Sequence, residues 1–235
     1  MLECLEFNPE AGIEPIGSVI WLHGLGASGH DFAPIVPHMQ LPDVRFVFPH
    51  APVRPITIHE GEQTRAWYDI TTLGESPDRE RLSDVLISAR LVEELIQREI
   101  DRGIPSKNIV LMGFSQGAAM ALHVGHRYEH SLMAIFVLSG YLLNPTMFEH
   151  EMHQANRLTP YYFYHGIRDL VVLHRRGNAA CDQTVALHRF TYWREYPMGH
   201  EVCLEEIRQI RFTLHEKFQQ RREDRILERS RKTEG

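Results

Sequence analysis

Residues 113–117 read Gly113-Phe114-Ser115-Gln116-Gly117, a serine with a glycine two positions to either side. A serine hydroxyl attacks a carbonyl only when a base takes its proton and fixed N–H donors hold the oxyanion that forms. The glycines answer a geometric need. To project its hydroxyl from a sharp turn the serine takes a strained backbone, and bulk two residues away would strike the neighbouring strand and helix. The pentapeptide alone is a weak signal, and a glycine-rich turn with an idle serine is its plain alternative. Its setting is more specific. The apolar run Ile109-Val110-Leu111-Met112 leads in and Ala118-Ala119-Met120-Ala121-Leu122 leads out, an order of strand, turn and helix. A helix starting beside Ser115 also points unpaired N–H groups and its positive dipole end at developing negative charge.

That arrangement is the nucleophile elbow of α/β-hydrolases, where the partners follow in the order serine, acid, histidine. Downstream, Tyr161-Tyr-Phe-Tyr-His165-Gly166-Ile-Arg-Asp169 puts an aspartate in the loop after a strand, and Glu195-Tyr-Pro-Met-Gly199-His200 does the same for a histidine. Asp169 reads as the acid that orients the base, and His200 as the base. Either residue could instead cap a helix. Both loops are expected at the C-terminal edge of the sheet, where open α/β sheets build their sites. The oxyanion donors expected are the Leu25 N–H, in His23-Gly24-Leu25-Gly26 after a strand, and the Gln116 N–H, next to the nucleophile. His23 and His165 read as residues that shape their turns, and Cys203 as packed rather than nucleophilic.

The elements that must hold these residues alternate short β-branched or aromatic runs with longer helical patterns, the mark of βα units. Strands are expected at Ser18–Leu22, Val44–Phe48, Asn108–Met112, Ala134–Leu138, Tyr161–Tyr164 and Phe190–Trp193. Residues 51–60 read as an irregular excursion. Pro77 to Arg102 reads as a helix, with Leu82, Val85, Leu86, Ala89, Val92, Leu95, Ile96 and Ile100 in one stripe. Gly103 sits where a helix end favours positive φ. Gly117–His126 reads as a helix, and a last one begins soon after His200. The expected fold is α/β, a mainly parallel central sheet with helices on both faces, in one catalytic domain over residues 1–218. Residues 219–235 form a charged tail, either a helix extension or disordered.

The chain has 235 residues, enough for a core that needs no disulfide or metal. A formal net charge of -6 supplies no positive field for a nucleic-acid backbone, so no nucleic-acid partner is expected. The 15 histidines are scattered, with no metal-ligand spacing, so no metal and no cofactor are expected. Three widely spaced cysteines, Cys4, Cys181 and Cys203, fit free thiols in a reducing compartment. No run approaches the ~20 apolar residues of a membrane span, and the expected location is cytoplasmic.

Taken together, His23-Gly-Leu-Gly-Ala-Ser-Gly-His-Asp-Phe32, Phe48-Pro-His-Ala-Pro52, Arg65-Ala-Trp-Tyr-Asp69, Gly113–Gly117, His165-Gly-Ile-Arg-Asp169 and Pro197-Met-Gly-His200 resemble the carboxylesterase/phospholipase family that includes the acyl-protein thioesterases. The resemblance runs from about Ile16 to Phe218. It implies Ser115, Asp169 and His200 as a triad, Leu25 and Gln116 as oxyanion donors, and no cofactor. It also implies hydrolysis of carboxylic esters, lysophospholipids or acyl-thioesters, acylated proteins among them, and a homodimer in many members. Leu25, Trp67 and Val172 are expected beside the acyl chain, with Trp67 equally readable as core. One departure is Leu173, where the family carries proline after Val172; a looser acid loop or a reshaped pocket entrance is expected there. Two rivals stay open: a hydrolase of small soluble lactones or acyl-peptides on the same scaffold, and a catalytically silent binding protein.

Overall fold

The computed structural model describes residues 1–72, 74, 76, 79–188 and 190–233, with the backbone alone for 227–233. Nine strands are described: β1 (Cys4–Phe7), β2 (Gly17–Leu22), β3 (Val44–Pro49), β4 (Val53–Ile56), β5 (Glu62–Arg65), β6 (Ile109–Phe114), β7 (Ala134–Leu138), β8 (Tyr161–Gly166) and β9 (Thr191–Tyr196). The helices are α1 (Val36–Met39), α2 (Leu82–Asp101), α3 (Gln116–Arg127), α4 (His174–Leu187) and α5 (Leu204–Thr233). Seven strands form one sheet in the order β1-β3-β2-β6-β7-β8-β9. All its pairs are parallel except β1 with β3.

Strand alternation sorts the core into two layers. In β2, Ile20 and Leu22 join the side chains of α2 and α3, while Val19 and Trp21 face the layer of α5. β6 repeats this with Ile109 and Leu111 against Val110 and Met112. Strands covered on both faces must be apolar throughout, and β2 and β7 are buried at every position. α5 buries Ile207, Ile210, Leu214 and Phe218 at helical spacing. It then continues unbroken past Phe218, and Arg222 grips both carboxylate oxygens of Asp43 at 2.7 and 2.6 Å. Among the described residues no helix is long and apolar enough to cross a membrane.

The structure differs from the sequence reading in three places. Residues 51–60 are not wholly irregular: β4 and β5 pair as an antiparallel hairpin outside the main sheet. β1 adds an edge strand that the pattern of alternation does not announce. The long helix starts at Leu82, not Pro77, because the chain first makes a bridge between Ile70 and Glu80; Pro77 and Asp78 lie outside the described residues. Leu82 and Leu86 are half exposed, so its buried stripe begins at Val85. Its end is as read: Gly103 has φ +91° and Ile104 N–H bonds the Glu99 carbonyl at 3.0 Å.

Several histidines are buried as neutral groups. His126 Nδ1 lies 2.9 Å from His188 Nε2, and His188 Nδ1 lies 3.1 Å from the Asn156 carbonyl. Burial pushes His123 and His126 down to about 3, and His23 and His188 down to about 4. Unfolding frees them to titrate near ~6.5. Below that pH the unfolded chain therefore binds more protons than the native one, and stability falls as pH drops from about 6.5 towards 4, by up to ~1.4 kcal/mol per unit for each group. Thermal unfolding scans should show Tm dropping steadily between neutral pH and pH about 5; a flat Tm there would contradict the buried, neutral state.

Candidate active site

The sheet delivers its chemistry to one edge. β6 ends at Phe114, and Ser115 follows with φ 55° and ψ -119° before α3 begins at Gln116. This left-handed strain is held by hydrogen bonds on both sides. Ser115 N–H donates to Leu138 O at 2.9 Å, and its carbonyl accepts from Ala119 at 3.1 Å. The flanking glycines are required. A Cβ on Gly113 would sit 2.2 Å from the Gly117 carbonyl oxygen, and one on Gly117 would sit 2.4 Å from the backbone oxygens of Leu22 and His23.

β8 and β9 carry the other two residues to the same edge. His200 Nε2 lies 2.8 Å from Ser115 Oγ, and its Nδ1 lies 2.7 Å from Asp169 Oδ2. An ionised carboxylate can only accept, so Nδ1 holds the proton and Nε2 is left to accept from the serine hydroxyl. The second oxygen of Asp169 is also committed: Oδ1 accepts from Val171 N–H and Val172 N–H, both at 2.9 Å. Burial raises the Asp169 carboxyl, but the His200 hydrogen bond and charge and the two backbone N–H groups outweigh it. Its pKa ends below the ordinary carboxylate value.

His165 supports this loop from beneath. Its Nε2 donates to Val172 O at 2.8 Å, and Gly177 leaves room for the ring. Leu173, at φ -54° before α4, follows the Asp169 and His165 hydrogen bonds to Val171 and Val172.

The oxyanion candidates Leu25 and Gln116 line the same cleft as Ser115. Gln116 N–H is the first of α3, where no intrahelical acceptor exists, and Leu25 N–H follows β2. Among the described residues neither has a hydrogen-bond partner. The loop bearing Leu25 is built on His23, whose Nε2 accepts Ala51 N–H at 3.0 Å and whose Nδ1–H donates to Gly24 O at 2.7 Å. His23 is therefore structural.

Trp67 requires a correction. It is fully buried, its indole N–H donates to His23 O at 2.8 Å, and it does not line the cleft. A buried indole needs an acceptor, and the carbonyl under the Leu25 loop supplies it. The Gln116 side chain completes this support, accepting Trp67 N–H at 2.7 Å and donating to Tyr68 O at 2.8 Å. Val172 and Leu25 do line the cleft, of about 580 Å³, with Ser115 and His200. The sequence reading missed Ile58, Ile70, Arg79, Tyr141 and Leu170 in the same wall. Leu170 had a signal, lying next to Asp169; Arg79 had none, being read as part of the helix from Pro77 to Arg102 and short of its first apolar stripe residue, Leu82. Cys203 packs, partly buried, beside the α5 layer.

A parallel sheet with a serine on a strained turn after a central strand, and a histidine–carboxylate pair against its hydroxyl, has the form of an α/β-hydrolase. A family model described as phospholipase/carboxylesterase matches residues 11–217. Acyl-protein thioesterase 1 of Neurospora crassa is 37% identical over 212 residues, covering 86% of each chain. Among solved structures, Arabidopsis thaliana SOBER1 superposes with a TM-score of 0.79 at 28% identity, over 86% of this chain and 99% of the other. Zea mays acyl-protein thioesterase 2 gives 0.80 at 25% identity, over 92% and 99%. The chain belongs to the phospholipase/carboxylesterase family of α/β-hydrolases, and it is a serine hydrolase.

Proposed function

We propose that the chain hydrolyses carboxylic esters and acyl-thioesters through an acyl-enzyme on Ser115. The observation that carries this reading is His200, within hydrogen-bond distance of Ser115 Oγ on one side and Asp169 on the other. His200 takes the hydroxyl proton as Oγ bonds to the substrate carbonyl carbon, and the carbonyl electron pair moves to oxygen. The Leu25 and Gln116 N–H groups hold that oxyanion, each contributing roughly 10²–10³ in rate. The oxyanion collapses, the bond to the alcohol or thiol breaks, and His200 delivers its proton to that leaving group. Water, deprotonated by His200, then attacks the acyl carbon, and the acid leaves as Ser115 regains its proton. Asp169 keeps the imidazole in the useful tautomer and stabilises its cation.

The substrates are a small-molecule ester, a lysophospholipid or an S-acylated protein, with Leu25 and Val172 against the acyl group. Free thiols at all three cysteines support a cytoplasmic site of action. A homodimer, implied by the family resemblance, belongs to the same reading and is checked by sedimentation. A panel of oxyesters and matched thioesters of rising acyl length tests the activity. Turnover of both classes is expected, since the leaving group faces the open rim; turnover of neither would contradict the reading.

A further inference from the structure

Phe48-Pro49-His50-Ala51-Pro52 closes β3 at the same sheet edge as Ser115, yet none of its side chains lines the cleft. His50 is buried, and its N–H donates to Glu3 O at 2.8 Å, just ahead of the edge strand β1. Its Nδ1 accepts Gly29 N–H at 3.1 Å. Ala51 N–H, next along the chain, donates to His23 Nε2 at 3.0 Å. Residues 50 and 51 therefore hold both ends of the loop that presents the Leu25 N–H. The anchor between those ends leads to the same place. Gly26 N–H bonds the Arg65 carbonyl at 2.9 Å, and Arg65 Nη1 donates to Ala51 O at 3.0 Å. Among the described residues, the other hydrogen bonds of residues 24–31 run within the loop.

An imidazole nitrogen that accepts an N–H carries no proton, so His50 is neutral with its hydrogen on Nε2. Acid would place a second donor on Nδ1, facing Gly29 N–H, and break that anchor. The titratable and charged groups around the ring are His30, with ring centres 5.2 Å apart, His23, Glu3 and Arg65. Burial first, then the Arg65 charge and His30, hold the His50 pKa below the ordinary histidine value, against the pull of Glu3. The ring is neutral at neutral pH and takes up its proton in acid. His23, pushed down to about 4, is neutral above that pH.

We propose that His50 is a positioning residue for the oxyanion hole: its neutral imidazole holds, through Gly29, the loop that carries the Leu25 N–H, and its protonation frees that loop and slows acyl transfer. This rests on the acyl-enzyme reading of Ser115 and on Leu25 as a donor. His50 touches no substrate and acts through the place of the Leu25 N–H. A group displaced by about 1 Å costs up to ~10² in rate, and an oxyanion donor removed outright costs ~10²–10³. The loss falls on kcat and leaves KM little changed, because the oxyanion forms only after substrate is bound.

The test is the pH profile of kcat on p-nitrophenyl butyrate from about pH 8 to about pH 5, the range in which histidines titrate. Rates are counted per Ser115 site titrated with a fluorophosphonate. Wild-type kcat falls in acid more steeply than one proton allows, since His200 and His50 each take one. His50→Asn offers Oδ1 where Nδ1 stood and cannot be protonated. It keeps the neutral-pH kcat within about threefold and follows a single-proton curve. His50→Leu has no acceptor and loses about 10–100-fold in kcat, with KM within about twofold. A single-proton profile in the wild type, or equal losses in the two variants, overturns the proposal. So does an unchanged kcat per labelled site in the leucine variant, the mark of a merely structural residue whose loss removes sites without slowing the rest. Failure of the fluorophosphonate to label Ser115 in the wild type defeats the nucleophile assignment instead.

Discussion

Ser115→Ala lowers kcat for ester hydrolysis by roughly 10⁴–10⁶, with KM little changed and the fold intact. The size follows from the chemistry. Without Oγ no acyl-enzyme forms, and His200 can only activate water while the Leu25 and Gln116 N–H groups still favour the oxyanion. The residual rate is that of general base catalysis in a preorganised site. Alanine keeps the Cβ, so the strained turn at φ 55° and its hydrogen bonds to Leu138 and Ala119 are retained. Steady-state kinetics with far-ultraviolet circular dichroism checks both halves. A loss smaller than tenfold in a folded variant would remove Ser115 from the mechanism.

Asp169→Asn costs about 10⁴ in kcat, a loss as large as deleting a reacting group although the aspartate never touches substrate. Oδ1 is pinned by the Val171 and Val172 N–H groups, which only an oxygen can accept. An asparagine must therefore turn its amide nitrogen towards His200. That nitrogen donates, so Nδ1 of His200 becomes an acceptor and the ring proton moves to Nε2, facing Ser115. The base then offers a proton where it must receive one. KM stays near the wild-type value, since the cleft wall is unaltered. The ring tautomer is readable by ¹⁵N NMR of His200. Near-wild-type kcat, or an unchanged tautomer with full loss, would contradict this account.

Where the sequence was informative, local pattern and chemical need coincided. The Gly113–Gly117 elbow was legible because its glycines are dictated by backbone oxygens that approach within 2.4 Å of where a Cβ would stand. Asp169 and His200 were legible because each follows a strand of the alternating series, and parallel strands deliver the loops after them to one edge. The Leu25 loop was legible for the same reason. Elements outside the parallel core were not. β1 is half-buried along its length and lies on the sheet edge, so it shows no clean alternation. β5 is Glu62-Gln63-Thr64-Arg65, polar throughout, and β4 contains Pro55, so neither announces a strand. Trp67 was readable equally as acyl-chain contact or core because the sequence does not say which way an indole points, and the structure puts it in the core. Its partner, the His23 carbonyl, lies 44 residues away. Arg79 illustrates the opposite failure. Its place depends on Tyr141 and Arg176, which the chain brings together only through β7 and α4.

The central claim is that Ser115 is the acylated nucleophile. Incubating the protein with a fluorophosphonate probe, followed by intact mass and peptide mapping, tests it most directly. The account predicts one equivalent of label, confined to the peptide containing Ser115 and absent from Ser115→Ala. Label on Cys203 or another residue, or undiminished labelling of the alanine variant, would contradict it.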